Sequence, residues 1–248
     1  MTELQSKAST FLALHRPGDP VTLPTVWDAW SANIVAEKGF SALTVGSHPL
    51  ADSVGKSDHE GMSFADVLVR VREITSAVEI PVSVDLESGY GVEPERLIDE
   101  LLGAGAIGFN IEDTVHAEGG RLRAPEEHAD LVARLRAAAD ESGVRVVINA
   151  RTDVLLRPDP EPYVDEAIAR LRLAADAGAD VLYPVGRNPA EIQRRLCAEL
   201  PLPVNAVTLP GQGNPAYFGE LGVARISFGP FLQQAFAERA ASLFDAWR

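Results

Sequence analysis

The sequence predicts an α/β chain folded as a (β/α)8 barrel of the TIM type. Three observations carry this. Eight short apolar, β-rich runs alternate with amphipathic helical stretches along the chain. Most of these runs are continuously apolar rather than alternating, as in parallel strands covered on both faces. The chain has 248 residues, 46% of them apolar, which suits one barrel and is long for an ordinary open sheet. The doubly wound open sheet is the alternative. It usually has fewer strands and a glycine-rich phosphate turn after the first one. Here Val26-Trp27-Asp28 ends the first run, with no G-x-G-x-x-G.

Taken in order, Glu3–His15 reads as an extra helix ahead of the barrel. The strands read Val21–Trp27, Ala42–Val45, Pro81–Leu86, Ile107–Ile111, Arg145–Ala150, Val181–Val185, Pro203–Val207 and Arg225–Phe228. Asp28 caps the helix that begins near Ser31. Amphipathic stretches at Phe64–Ala77, Pro94–Gly103, Pro125–Ser142 and Tyr163–Ala177 supply the intervening helices. Gly105-Ala106 and Gly178-Ala179 end two of them and lead into the next strand. Phe231–Trp247 forms a final helix. Its Phe231, Phe236, Leu243, Phe244 and Trp247 suit packing on another subunit or on its own barrel. No Pro/Gly/Ser-rich linker interrupts the chain, so a single domain over residues 1–248 is expected.

Two connections are long and polar: Ser47–Ser63 after strand two and Thr114–Ala124 after strand four. Both follow the carboxyl ends of strands, where barrel enzymes place their active sites. Loops of this length often serve as lids.

The formal net charge is −14, which disfavours nucleic acid or an anionic membrane surface as partner. An anionic substrate would need local positive charge. Cys197 is the only cysteine, so no intrachain disulfide is expected and a reducing, cytoplasmic setting fits. The segment MTELQSKAST has no long apolar stretch of the signal-peptide kind, and no run approaches 18 apolar residues.

The chemistry sits at the strand ends. Strand three ends Asp85-Leu86-Glu87, and alternation puts both acids on one side. Strand four ends in Glu112-Asp113 beside them. Acids converging there repel unless a cation or protons intervene. Oxygen ligands without a histidine cluster favour Mg²⁺, with Mn²⁺ as the alternative. The bland reading makes them solvated loop-start residues or helix caps. Asn149 and Arg151 share a face on strand five. Arg151 is either the salt-bridge partner of the acids or a fork for a substrate carboxylate or phosphonate.

The runs Asp85-Leu86-Glu87-Ser88-Gly89-Tyr90-Gly91, Asn110-Ile111-Glu112-Asp113 and Asn149-Ala150-Arg151-Thr152-Asp153 resemble the isocitrate lyase/phosphoenolpyruvate mutase superfamily in order and spacing. The resemblance spans nearly the whole chain. It implies a barrel whose last helix is swapped between subunits of a homodimer or homotetramer. It implies Mg²⁺ held by Asp85, with Glu87 and Glu112 acting directly or through water. It assigns Arg151 to the substrate carboxylate or phosphonyl group, and the backbone of Gly46 and Ser47 to the carboxylate. Asp58 resembles the Asp that approaches substrate or metal-bound water. Asn205 corresponds to a substrate-binding Asn of strand seven.

The departures narrow the expectation. Where the family's lyases carry a Lys-Cys-Gly-His type of loop, this chain reads His116-Ala117-Glu118-Gly119-Gly120-Arg121. There is no Cys or Lys, and the mutase's Lys and Asn are missing too. Val185 stands where the methylisocitrate lyases place Glu, and Val207 where they place Thr. The second arm of the substrate therefore meets fewer polar groups. His116 is the leading candidate for the acid/base, with Tyr90, Asp58 and His48 as others. The expected function is a Mg²⁺-dependent lyase or decarboxylase of a small 2-oxo or 2-hydroxy acid, working through an enolate. The alternatives are a phosphonomutase or phosphonopyruvate hydrolase, and a metabolite-binding barrel without chemistry.

Overall fold

The computed structural model describes residues 1–248. Its strands are β1 (Val21–Leu23), β2 (Thr25–Val26), β3 (Leu43–Val45), β4 (Val82–Asp85), β5 (Gly108–Glu112), β6 (Thr114–Val115), β7 (Arg121–Leu122), β8 (Val147–Thr152), β9 (Val181–Pro184), β10 (Asn205–Val207) and β11 (Arg225–Ser227). Six of them run in the order β2-β3-β4-β5-β8-β9 and three in the order β1-β11-β10, all parallel. A parallel bridge between Leu182 and Val204 joins β9 to the β10 side. The predicted first strand is one segment broken at Pro24, which has no N–H to donate. Its first half pairs with β11 and its second with β3, while the Pro24 carbonyl accepts from Thr44 N at 3.1 Å. The circuit thus closes as an eight-stranded parallel barrel, and β6–β7 is a small antiparallel ribbon outside it.

The helices are α1 (Glu3–Ala13), α2 (Ala29–Glu37), α3 (Ser47–Ser53), α4 (Phe64–Ala77), α5 (Pro94–Gly103), α6 (Pro125–Glu141), α7 (Val164–Asp176), α8 (Ala190–Glu199), α9 (Pro215–Glu220) and α10 (Phe231–Ser242). Asp28 caps α2 as expected, accepting from Ser31 N at 2.7 Å. The long connection after the second strand contains α3, which periodicity did not reveal in so short a segment.

One apolar cluster of 52 buried residues runs from Ala8 to Val204. α1 closes the amino-terminal end of the barrel with the fully buried Phe11. Burying such a side chain contributes about 1.5–3 kcal/mol. A Cβ at Gly108 would lie 2.8 Å from Phe11 Cε1, so this strand start has to be glycine for the ring to fit.

Inside the barrel lies a polar layer. Asn149 donates to Asn110 Oδ1 at 2.7 Å and to Asn205 Oδ1 at 3.0 Å. The fully buried Arg225 donates to Asn110 Oδ1 at 3.2 Å. This layer braces the strands below the carboxyl ends of β4, β5 and β8.

At the other end, α10 has no buried residue. Phe236 meets Trp27 edge-on at 5.6 Å, and Leu243, Phe244 and Trp247 are exposed. No helix is long and apolar enough to cross a membrane.

Candidate active site

A cavity of about 310 Å³ opens at the carboxyl ends of the strands. Gly46 and Ser47 enter it from the end of β3, Asp85 from β4, Arg151 from β8 and Tyr183 from β9. The loop after α3 brings Asp58, and α3 itself brings His48. Five of the residues singled out from the sequence therefore share one wall: Gly46, Ser47, Asp58, Asp85 and Arg151.

Arg151 organises the acids. Its Nη1 lies 2.6 Å from Glu112 Oε2 and 3.5 Å from Asp85 Oδ2, and its Nε donates to Asp153 Oδ1 at 2.7 Å. Burial opposes its charge, but Asp153, Glu112 and Asp85 hold its pKa above the ordinary arginine range. Asn149 and Arg151 do share the inward face, since β8 is regular through both.

The acids carry the mark of a desolvated cluster. Burial raises the pKa of Asp85, partly offset by Arg151. Burial likewise raises Glu112 well above the carboxylate range, against the pull of Arg151. Glu87 is pushed up to about 8, by burial first, although the Tyr90 hydroxyl opposes the shift.

The geometry of the three predicted ligands differs from a simple cage. Glu87 leaves the strand with φ +48°, so alternation no longer governs where it points. Its Oε1 accepts from Tyr90 OH at 2.8 Å and its Oε2 from Glu60 N at 2.7 Å. Glu112 Oε1 meets His116 Nε2 at 2.5 Å while Oε2 faces Arg151. No three carboxylate or imidazole groups converge at ligand distance. Asp85 alone turns an oxygen toward the cavity, accepting from Ser47 Oγ at 3.3 Å.

The donor set still fits a hard divalent cation. Buried oxygens outnumber the single arginine among them, and Asp58 Oδ1 is buried without a hydrogen bond. Of the three acids expected to hold the ion, Asp85 lines the cavity, while Glu87 is held by Tyr90 and Glu60 and Glu112 by His116 and Arg151.

Two predicted site residues lie elsewhere. His116 is seated on Glu112 with its side chain only 10% exposed. It lines a recess that adjoins the cavity of Asp85, with Arg151 and Leu156 on the wall of both. The strong pairing with Glu112 draws it there. Asn205 is fully buried in the polar layer. Its Nδ2 donates to Ala206 O at 2.8 Å and to Ser227 Oγ at 3.2 Å, so it supports strands rather than meeting substrate.

Some participants had no sequence signal. Glu60 accepts from Ser88 Oγ at 2.5 Å and Tyr90 N at 2.8 Å, clasping the loop after α3 onto the turn after β4. His59 and Glu60 sit at φ +65° and +58°, and Tyr90 at +55°. Arg187 reaches the cavity wall without any ion pair, its guanidinium 5.8 Å from the Phe231 ring centroid. The distal wall is otherwise apolar: Leu156, Val185, Val207 and Phe231.

Known proteins match this chain throughout. A family model described as phosphoenolpyruvate phosphomutase covers residues 11–247. The crystal structure of a putative phosphonomutase from Burkholderia cenocepacia J2315 is 41% identical, covers 96% of this chain and 98% of that one, and superposes with a TM-score of 0.90. The structure of 2,3-dimethylmalate lyase is 28% identical with a TM-score of 0.84, covering 98% of this chain and 87% of that one. The 2-methylisocitrate lyase of Escherichia coli (strain K12) is 30% identical over 82% of this chain and 70% of its own length. The chain belongs to the phosphoenolpyruvate phosphomutase family, within the isocitrate lyase/phosphoenolpyruvate mutase superfamily.

Proposed function

We propose that this chain is an enzyme acting on a small 2-oxo acid, with a C–P bond at C3 as the bond it breaks or moves. The supporting observation is the meeting of Ser47, Asp85 and Arg151 on one cavity whose distal wall lacks acids. Val185 and Val207 line that wall, so a second and third substrate carboxylate would find little to bind. A phosphonyl group needs only compact positive charge, and Arg151 and Arg187 flank the space. The family model and the 41% identical phosphonomutase point the same way.

In this reading Asp85 holds Mg²⁺ or Mn²⁺, with Glu87 and Glu112 contributing through water. When bound, that ion supplies Lewis-acid stabilisation of the negative charge that grows on the 2-oxo oxygen. Arg151 orients the substrate's anionic oxygens. Ser47 keeps Asp85 aimed at the cavity. The Glu60 clasp covers the acids and excludes water from them.

A second reading is a C–C lyase or decarboxylase of a 2-oxo or 2-hydroxy acid. It is supported by the likeness to 2-methylisocitrate and 2,3-dimethylmalate lyases and by an apolar wall suited to an alkyl substituent. Turnover of phosphonopyruvate and oxaloacetate, each with Mg²⁺, separates the two. The C–P reading expects phosphonopyruvate to be consumed and oxaloacetate spared. Oxaloacetate consumption alone overturns it in favour of the lyase. Tight oxalate binding without turnover of any 2-oxo acid would leave a metabolite-binding barrel.

A further inference from the structure

The titratable side chains on the cavity wall include one imidazole, that of His48. Its Nδ1 lies 3.2 Å from Asp58 Oδ2, and both residues line the same space. Such a carboxylate fixes the ring's tautomer and orientation, leaving Nε2 for proton transfer. No protein group bonds that Nε2. Asp58 is the better buried of the pair, with a side chain 22% exposed against 48% for His48. The dyad is therefore anchored at its acid and open at its ring. The alternatives on the wall are otherwise engaged. Asp85 is tied to Ser47 and Arg151. Burial pushes the Tyr183 phenol up to about 12, so it holds its proton at neutral pH. His116 is engaged by Glu112 Oε1 at 2.5 Å, in the adjoining recess.

We infer that His48, oriented by Asp58, is the acid/base that carries the proton to and from C3 of the bound 2-oxo acid. The inference rests on the proposed 2-oxo acid reading and sharpens it. Once water has taken the phosphoryl group from C3 to give phosphate, with the C–P electron pair left in the enolate, the imidazolium N–H bond breaks and a C3–H bond forms. The carbonyl is restored, His48 becomes neutral, and a pyruvate-type product leaves. A mutase that returns the phosphoryl group to the enolate oxygen has no use for this step. The dyad thus places the chain with enzymes that quench the enolate by protonation, a hydrolase in the C–P case.

The reverse step is directly measurable. Neutral His48 would take a proton from the methyl group of pyruvate, and solvent would replace it. Wild-type protein with Mg²⁺ and pyruvate in D₂O is expected to lose the methyl proton signal by NMR. His48→Gln should slow this exchange about a hundredfold and Asp58→Asn about tenfold, as loss of general acid/base catalysis requires. Pyruvate affinity by calorimetry should stay within about threefold in His48→Gln, which removes the proton carrier and keeps Arg151 and the acids. Exchange at the wild-type rate in His48→Gln overturns the inference. So does wild-type protein that binds pyruvate without exchanging it, and there the 2-oxo acid reading survives. Conversion of phosphonopyruvate to phosphoenolpyruvate with no pyruvate formed also overturns the protonation step. Failure of wild-type protein to bind pyruvate with Mg²⁺ overturns both.

Discussion

Arg151 Nη1 stands 2.6 Å from Glu112 Oε2, across the seam between β8 and β5 where these two residues are register partners. The pairing ties strand register to the electrostatics of the site. Removing the guanidinium leaves Glu112 and Asp85 buried without their counter-charge. Arg151→Met is expected to cost about 3–5 kcal/mol of stability in the absence of divalent cations. Arg151→Lys should keep most of that stability but lose the planar fork, so turnover drops by about a hundredfold or more. Denaturant titration and steady-state kinetics on the two variants measure both effects, and equal stability for wild type and Arg151→Met would contradict the arrangement.

Of the three acids expected to hold the ion, Asp85 is the one that lines the cavity. Asp85→Ala is expected to abolish Mg²⁺ binding measured by calorimetry while the protein stays folded. Glu87→Gln should only weaken it, because both Glu87 oxygens already serve Tyr90 and Glu60. Unchanged Mg²⁺ affinity in a folded Asp85→Ala protein would remove Asp85 from the metal assignment.

Two histidines away from the site set an acid limit. Burial, with nearby Arg225 for His15 and Arg123 for His128, lowers each to about 3. Their ordinary value is about 6.5. The unfolded chain therefore binds more protons, so their contribution is present above about pH 6.5 and is lost as pH falls toward 3. Each costs about 1.4 kcal/mol per pH unit well inside that window. Glu87 has the opposite sign, since its raised pKa favours the fold below about 4.5 and weakens it as pH rises through about 8. Melting curves between pH 6.5 and 4.5 should show His128→Leu losing stability less steeply than wild type. Parallel slopes would show that His128 is not held neutral.

The segment that follows α10 predicts association. With Phe244 and Leu243 each 64% exposed and Trp247 87% exposed, an isolated chain leaves an apolar strip in water. Light scattering is expected to give a dimer or tetramer, and Phe244→Glu with Leu243→Glu to reduce its mass. A wild-type monomer at micromolar concentration would exclude this use of the segment.

Legibility in the sequence followed the regularity of the backbone. Asn149 and Arg151 were placed on one inward face because β8 is unbroken through both. The same rule failed at Glu87, where the chain has already left the strand with a left-handed residue. Strand-end motifs located Asp85, Glu112 and Arg151, but pairing partners far along the chain were invisible. Nothing local to Glu60 announces Ser88 and Tyr90, some thirty residues on. Asn205 came from the family resemblance alone, which gives a position in strand seven and says nothing of the depth at which the fully buried side chain sits. His116 was found by residue type alone, and the acid four residues before it decides where it rests.

The Glu60 clasp has a kinetic meaning. Undoing it forfeits three hydrogen bonds, each worth about 0.5–1.5 kcal/mol net. It also lets His59 and Glu60 relax from a left-handed backbone that costs roughly 1–3 kcal/mol apiece. The two sums are of the same size, so the flap is expected to open without an outside trigger. Spent ligand then leaves at the pace of that opening, and added viscogen should slow turnover even while the bond-breaking step is untouched.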